Sequence, residues 1–495
     1  MSITGIAQKL SMNPYVGPRA FRKNELFFGR ERESAGLINT LIAGRIVLLH
    51  SPSGAGKTSL IQASVVPALE GRRFQVCARL KPSFSAIRVN APIPEGLEVE
   101  NRYIYSAVTG LTAHLIPDPG EVRAWSITQA LDELARQDGA PQRQLLILDQ
   151  FEEILTLDPT DQDGQRTFFK QVGEALENHN RWALFAMRED YMGGLDRYLR
   201  YVPGQLRSTF RLDLLDAKAA LRAVQLPAKS RGIKFDDEAA LTLVNDLRRV
   251  RVETPGAGVT TPLGNYVEPV LLQVVCDSLW RNLSDQQNAG FSRISVANVV
   301  DYGPLDDALA RYYRYVIKGA VKKNPDLEGA VRDWVQSKLL TEQLFRSQTR
   351  EMPAVPNAEE VVAYLQHRYL VRDDPRPNAT WWELSHDRLI DPIVENNRLW
   401  REKHLAPWQL DAYKWDRSHR DSSYLLTGET YRAAKVMSRR LELSEVERDF
   451  LRSSGDAVAH EGRLKRAQSR LGLVQVLLFW SLLCNLALAV YLLQR

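Results

Sequence analysis

One short segment of the chain has residue types that could hold a phosphate group. Residues 51–58 read SPSGAGKT, which fits the pattern G-x-x-x-x-G-K-[ST] except that Ser51 replaces the first glycine. In such a loop the backbone N–H groups surround the phosphates, the lysine reaches the β- and γ-phosphates and the last hydroxyl ligates Mg²⁺. The candidate binding residues are Ser51, Pro52, Ser53, Gly54, Ala55, Gly56, Lys57, Thr58 and Ser59.

The pattern alone is weak evidence, because without its first glycine it arises by chance in roughly one chain of this length in four. Its surroundings strengthen it. The apolar run RIVLLH (45–50) leads directly into the loop, and an apolar-periodic helix, SLIQASVVPAL, follows it. A strand, a loop and a helix in this order direct backbone amides and a helix N-terminus at one point, where an anion is stabilised. The alternative is a glycine-rich turn with a surface lysine.

A second segment supplies acidic side chains. The run LLILDQFEE (145–153) reads as an apolar strand ending in Asp149. At the edge of a sheet beside the phosphate loop, Asp149 and Thr58 are the candidate ligands of Mg²⁺. Glu152 and Glu153 follow within reach of a γ-phosphate, so either could orient the attacking water. These two glutamates are the candidate catalytic residues.

Arg188 ends a further apolar run, WALFAMR (182–188). At that sheet edge it could sense a γ-phosphate, although a plain surface arginine is nearly as consistent with the pattern. The chain contains no Asn-Lys dipeptide, so the NKxD signature of guanine recognition is absent. The expected ligands are therefore ATP and ADP, with Mg²⁺.

The elements that must position these residues follow from the apolar pattern. Short apolar runs alternate with helical patterns through the first 215 residues, which favours buried parallel strands covered by helices. Helices dominate afterwards, and two strand candidates, YLVRDD and WWELSH, follow helices as in a winged-helix domain. The predicted regions are an α/β P-loop NTPase domain with a parallel sheet (1–215), a helical domain (216–299), a winged-helix domain (300–400), a charged helical segment (401–470) and a transmembrane helix (471–494).

Composition narrows the class of protein. The 495 residues carry a net charge of +5, with 25% charged and 44% hydrophobic residues. These averages exclude a disordered tail, a collagen-like chain and a multi-span transporter, and the charge is too small to argue for nucleic acid. Cys77, Cys276 and Cys484 lie far apart. Neither a disulfide framework nor a zinc site is therefore indicated, which favours a reduced, cytosolic main body.

The predicted transmembrane helix rests on hydropathy. Residues 471–494 contain no charged side chain. A helix of this length can cross a hydrocarbon core of about 30 Å. Four basic residues precede the segment closely and only Arg495 follows it, so the positive-inside rule leaves the main body in the cytoplasm. The sequence thus predicts a single-pass C-terminal anchor in a bacterial inner membrane.

Several separated motifs together resemble the STAND class of P-loop ATPases, the signal-transducing ATPases that include the NACHT and plant-resistance switches. The resemblance is to one bacterial group of this class, and it covers roughly residues 13–455. The motifs that carry it are NPYVGPRAF (13–21), FFGRERE (27–33), DQFEE (149–153), MREDYMGGL (187–195), EPVLLQVVC (268–276) and ELSHD (383–387).

The resemblance implies further site residues. Gly29 and Arg30 match a turn that lies near the adenine in this group, and Pro269 matches a proline at a helix start that contacts the adenine. Arg188 matches the arginine of the fourth strand. His386 matches the winged-helix histidine that reaches the β-phosphate of ADP.

The function expected from this resemblance is a membrane-anchored ATP/ADP switch with slow hydrolysis. It would oligomerise with itself on activation by a separate protein or ligand, in bacterial defence or cell death, with the transmembrane helix as effector and the membrane as partner. A membrane-tethered AAA-like remodelling ATPase and a tail-anchored scaffold are the alternatives. A DNA-binding regulator is less favoured, and no nucleic-acid partner is expected, because the helix pattern over 358–370 offers few basic residues.

Overall fold

A computed structural model divides the chain into two compact units, Met1–Ile393 and Val394–Arg495. Each unit is described by itself. The structure describes residues 13–77, 87, 89, 93–94, 96–112, 119–137, 139–250, 252–254, 258–286, 291–303, 305–341, 344–376, 379–439 and 443–493.

The first unit is built on a five-stranded parallel sheet with the strand order β2-β3-β4-β1-β5. Alternate residues of each strand point to opposite faces, so Ile46 and Leu48 of β1 belong to one core cluster and Val47 and Leu49 to the other. Helices cover both faces, which explains why the strands read as continuous apolar runs. The predicted parallel α/β fold is confirmed. The strands are β1 (Ile46–Ser51), β2 (Phe74–Cys77), β3 (Arg143–Leu148), β4 (Arg181–Arg188) and β5 (Thr209–Arg211).

The helices of this region lie on the two faces of the sheet. The face with Ile46 and Leu48 packs against α4, α6 and α8, and the face with Val47 and Leu49 packs against α1 and the helix after the phosphate loop. A π-helical turn, Ile61–Val65, separates α2 from α3. The helices are α1 (Glu31–Gly44), α2 (Lys57–Leu60), α3 (Val66–Glu70), α4 (Arg102–Thr112), α5 (Pro119–Val122), α6 (Ile127–Ala135), α7 (Glu153–Thr156) and α8 (Gln162–Glu177).

Two further apolar runs of the first 215 residues, FQVCARL (74–80) and FRLDLL (210–215), also predict strands, and the observed strands are shorter than these runs. The run at 210–215 leaves the sheet after Arg211, and the Asp213 carbonyl then accepts a hydrogen bond from Arg30 Nη2 at 2.6 Å. The run at 74–80 is a strand as far as Cys77, and residues 78–80 lie outside the described residues.

The rest of the first unit is mainly helical. Its second half contains a three-stranded antiparallel sheet with the order β12-β14-β13 next to α15. The winged-helix assignment of this region stays a prediction. The elements are β6 (Leu215–Asp216), α9 (Ala217–Ser230), β7 (Lys234–Phe235), α10 (Asp237–Leu247), β8 (Val252–Thr254), β9 (Gly258–Thr260), β10 (Tyr266–Val267), α11 (Pro269–Gln286), β11 (Arg293–Ile294), α12 (Val296–Tyr302), α13 (Leu305–Ala320), α14 (Glu328–Lys338), β12 (Gln348–Thr349), α15 (Ala358–His367), β13 (Val371–Arg376) and β14 (Ala379–Leu384).

The second unit is helical and has its own small core, in which Trp408, Trp415 and Phe450 are buried together. Its helices are the end of α16 (Ile390–His404), then α17 (Pro407–Arg417), α18 (Gly428–Ser438) and α19 (Glu445–Leu493).

The structure contradicts the predicted transmembrane helix over 471–494. In the described part of the chain no helix combines the length and the apolar character that crossing a membrane requires. The predicted single-pass anchor in an inner membrane depends on that helix and is therefore also wrong.

Gly173 of α8 lies where the helix touches the following chain. A Cβ at this position would lie 1.8 Å from the Tyr201 carbonyl oxygen. We expect Gly173→Ala to lower the free energy of unfolding by at least about 2 kcal/mol, because the backbone must shift. Gly110→Ala in α4 is the matched control, since its Cβ would meet Ile87 Cγ2 at an ordinary 3.7 Å. Thermal unfolding should show a lower midpoint for the first variant only; equal midpoints would contradict the packing described.

Candidate nucleotide site

The phosphate loop leaves the sheet at β1, which lies between β4 and β5. Gly54 and Gly56 have φ angles of +78° and +93°, which L side chains rarely adopt. Lys57 then begins α2, so the backbone amides at the start of this helix face the end of β1. This is the geometry that the strand, loop and helix pattern predicted.

Ser51, which replaces the expected glycine, holds the lysine. Lys57 Nζ donates a hydrogen bond to Ser51 Oγ at 2.9 Å, and Ser51 Oγ donates to the Pro52 carbonyl at 2.7 Å. Burial lowers the pKa of Lys57, although the Glu152 and Asp149 carboxylates act in the opposite direction. An anionic phosphate would further favour the charged ammonium group.

The two candidate metal ligands are in contact. Thr58 Oγ1 donates a hydrogen bond to Asp149 Oδ2 at 2.7 Å. Asp149 directly follows β3 and is buried, with only 7% of its surface exposed. A hydroxyl and a carboxylate oxygen, completed by phosphate oxygens and water, are the donors that Mg²⁺ prefers in such sites. The residues present therefore fit this ion.

Glu152 and Glu153 line the same cavity as the phosphate loop. Burial raises the pKa of Glu152, although the Lys57 charge acts in the opposite direction. A carboxylate with a raised pKa is a stronger base than a solvated one. The Arg188 backbone N–H donates to Glu152 Oε2 at 3.3 Å and orients the carboxyl group.

Arg188 lies opposite Ser51 in the register of β4 and β1. Its guanidinium forms an ion pair with Asp190 at 2.8 Å. Its Nη1 also donates to the backbone carbonyl of Asp373 in β13 at 3.4 Å. The arginine at the end of β4 thus connects the parallel sheet to the antiparallel sheet of the same unit.

These side chains surround a cavity of about 510 Å³. One wall comes from the phosphate loop and the acidic segment, and the other comes from α15, β13 and the end of β14. Its lining includes the predicted residues Ser53, Gly54, Ala55, Gly56, Lys57, Thr58, Ser59, Asp149, Glu152, Glu153, Arg188 and His386, and the unpredicted residues Tyr191, Gln366, His367, Tyr369, Arg372, Asp373 and Ser385.

His386 packs against the phosphate loop. A Cβ on Gly54 would lie 3.4 Å from His386 Cε1. The Nδ1 of this histidine is paired with a carboxylate oxygen of Glu268, the residue before α11. Burial lowers the pKa of His386 to about 4. At neutral pH the imidazole is therefore uncharged and carries a single N–H.

A second, smaller cavity of about 50 Å³ adjoins the first. Pro269 at the start of α11 and Arg30 both line it, together with phenylalanines of the segment 21–28. Arg30 Nη2 donates to the Ala55 carbonyl at 3.0 Å, so this arginine fixes the phosphate loop. Gly29 is required beside it, because a Cβ would lie 2.5 Å from the Ala219 carbonyl oxygen. The lining of this cavity is mainly apolar.

Sequence reasoning missed several lining residues. Glu268 stands beside the predicted Pro269, yet no local pattern indicates that its carboxylate reaches His386. Tyr369 stands at the end of the α15 helix pattern, where a glycine would be usual. The absence of that glycine was the available signal.

A central parallel strand, a phosphate-binding loop at the N-terminus of a helix, and an acidic residue two strands away define a P-loop nucleotide hydrolase. Residues 14–405 match the family described as novel STAND NTPase 1. The chain belongs to this family, and it is an ATPase. Among proteins with curated functions, none matches the chain.

Two solved structures match the chain with low identity and low TM-scores. A Walker-type ATPase of Pyrococcus abyssi has 12% identity and a TM-score of 0.39, and the match covers 77% of this chain and 100% of that one. The ORC2 protein of Aeropyrum pernix, in complexes with ADPNP and ADP, has 15% identity and a TM-score of 0.35; 80% of this chain and 98% of that chain are covered.

The two glutamates can be separated by experiment. We expect Glu152→Gln to lower ATP turnover by at least about 100-fold, because loss of a positioned base removes this much or more. Nucleotide affinity should change little. Glu153→Gln is the matched control, one residue along in the same cavity, and should retain at least a tenth of the turnover. Steady-state phosphate release and equilibrium nucleotide binding are the measurements. A larger loss in the Glu153 variant would reverse the assignment.

Proposed function

We propose that this ATPase is a nucleotide-dependent signalling switch that is closed with ADP and oligomerises on activation with ATP. The observation that carries the proposal is the cavity with two walls. The phosphate loop and acidic segment form one wall, and the region 363–386 forms the other. A nucleotide bound there would touch both walls, so its identity could control whether they remain together.

The nucleotide would be held in two parts. Its phosphates would bind the amides of the phosphate loop and Lys57, and its base would occupy the smaller cavity beside Pro269. Mg²⁺, held through Thr58 and Asp149, would supply neutralisation of phosphate charge. Glu152 would orient the attacking water. Hydrolysis would return the protein to the ADP state, so slow turnover is expected of a switch.

His386 would connect the ADP phosphates to the second wall. It already lies against Gly54, and Glu268 lies beside its Nδ1. A switch that moves from about 1% to 99% open needs roughly 5.5 kcal/mol of differential binding. A hydrogen bond from a ring N–H to a phosphate contributes about 1.5–3 kcal/mol of this. The remainder must come from other contacts across the cavity.

Replacing His386 tests this role. We expect His386→Ala to weaken ADP binding about tenfold or more, because a hydrogen bond to a charged group is lost. His367→Ala is the matched control, since this second histidine lines the same cavity at the end of α15. Isothermal titration with ADP is the measurement. Unchanged ADP affinity in the His386 variant would remove this histidine from the mechanism.

The whole proposal is tested by particle mass. The purified protein should carry bound ADP, and light scattering should show a larger particle with ATP and Mg²⁺ than with ADP. We expect Lys57→Ala to abolish both nucleotide binding and the change in mass, because the phosphates lose their cation. Equal masses with both nucleotides would contradict the switch, and rapid continuous turnover would favour a remodelling ATPase instead.

The activating signal would be a separate protein or ligand, and the setting would be bacterial defence or cell death. The resemblance to STAND switches is the support for this part of the proposal. Growth of cells carrying the protein or its Lys57→Ala variant, with and without phage challenge, would test it. Equal survival of both strains would count against a defence role.

A further inference from the structure

The C-terminal end of α15 has an unusual residue at its turn. The Tyr369 N–H donates to the Gln366 carbonyl at 2.8 Å, and the Leu370 N–H donates to the Leu365 carbonyl at 3.0 Å. These two bonds form a Schellman motif, whose left-handed position is usually glycine. Tyr369 occupies it with a φ of +56°. A bulky residue in this conformation is strained, which indicates that its side chain is needed where the turn places it.

The side chain of Tyr369 lies in the nucleotide cavity. It lines the wall opposite the acidic segment, and 38% of its surface is exposed. Burial raises the pKa of the phenol, and the negative charge of Asp149 raises it further. The phenol and the Asp149 carboxylate line the same cavity from its two walls.

The same turn also engages the arginine of the first wall. We call residues 366–373 the corner segment. Its Asp373 carbonyl accepts the hydrogen bond from Arg188 Nη1 at 3.4 Å, and Gln366 Nε2 donates to Asp373 Oδ1 at 2.8 Å. The corner segment thus contacts Arg188 and shares the cavity with Asp149.

Arg372 of the corner segment is a cation that could attract a phosphate. Arg372 lines the cavity, but its guanidinium is paired with Glu383 of β14. Gln348 Nε2 donates to the second oxygen of that carboxylate at 3.1 Å. The ion pair offsets the charge of Arg372 and favours displacement of the corner segment over capture of the phosphate.

We propose that the corner segment is the element that the γ-phosphate of ATP displaces, with Tyr369 as its positioning residue. This inference rests on the proposed switch. ADP lacks the γ-phosphate and leaves the corner segment in contact with the first wall. ATP offers Arg188 a charged partner, and a charged acceptor is stronger than the Asp373 carbonyl. The ring of Tyr369 then has to leave the Asp149 end of the cavity.

Tyr369→Gly tests the inference without endangering the fold. Glycine is the preferred residue at this turn, so the variant should unfold at the same or a higher temperature than the wild type. Asn357→Gly is the matched control. Asn357 has a φ of +59° at the other end of α15, and its side chain makes no cap hydrogen bond. Both variants relieve the same kind of strain, but only the first removes a side chain from the cavity.

The measurement is the dissociation constant of each full-length protein for a fluorescent ADP analogue and, by competition, for ADP and a non-hydrolysable ATP analogue. We expect Tyr369→Gly to raise the ATP-analogue to ADP affinity ratio about tenfold, and Asn357→Gly to leave it within twofold. A ratio changed less than threefold by Tyr369→Gly, or changed equally by Asn357→Gly, would overturn the inference. Failure of the proposed switch is distinguishable, because the wild type would then bind no nucleotide or show no change in mass.

Discussion

The site depends on the balance of charge around Lys57. Its ammonium group is buried at the end of the central strand, where desolvation disfavours the charged form. The carboxylates of Glu152 and Asp149 compensate for this, and Ser51 Oγ accepts a hydrogen bond from the ammonium group. The negative charge of a bound phosphate would stabilise the ammonium group more than any of these groups does. Nucleotide binding and the electrostatic stability of the site are therefore linked, because a bound anion would favour the charged form of Lys57.

The strand order of the parallel sheet sets the distances between these charged groups. Because β4 lies between β1 and β3, Asp149 approaches the phosphate loop across a full strand and meets Thr58 rather than the lysine. Arg188 is the last residue of the same intervening strand and therefore lies at this edge of the sheet. One layer of parallel strands thus supplies the phosphate loop, the acid and the arginine, and it leaves their outer side open for a second wall.

The sequence predicted the first wall well and the second wall poorly. The phosphate loop and Asp149 each follow an apolar strand, and local patterns suffice to place them at one edge of a sheet. His386 could be connected to the loop only through family resemblance, because the contact with Gly54 spans more than 300 residues of chain. Tyr369 was missed, since its importance lies in a backbone conformation. The transmembrane prediction relied on a hydropathy average, and the described part of α19 does not support it.

The second wall is held to the first by weak, separable contacts. Arg188 gives the Asp373 carbonyl a long hydrogen bond, and His386 packs on Gly54 through a ring carbon. Neither is an ion pair between the walls, whereas Arg188 is ion-paired with Asp190 on its own wall. Contacts of this kind are worth about 0.5–1.5 kcal/mol each, so only several together can match the differential binding that a switch needs. Two or three of them together supply about 1–4.5 kcal/mol, which is less than the roughly 5.5 kcal/mol of a complete switch, so the bound nucleotide must contribute differential contacts of its own.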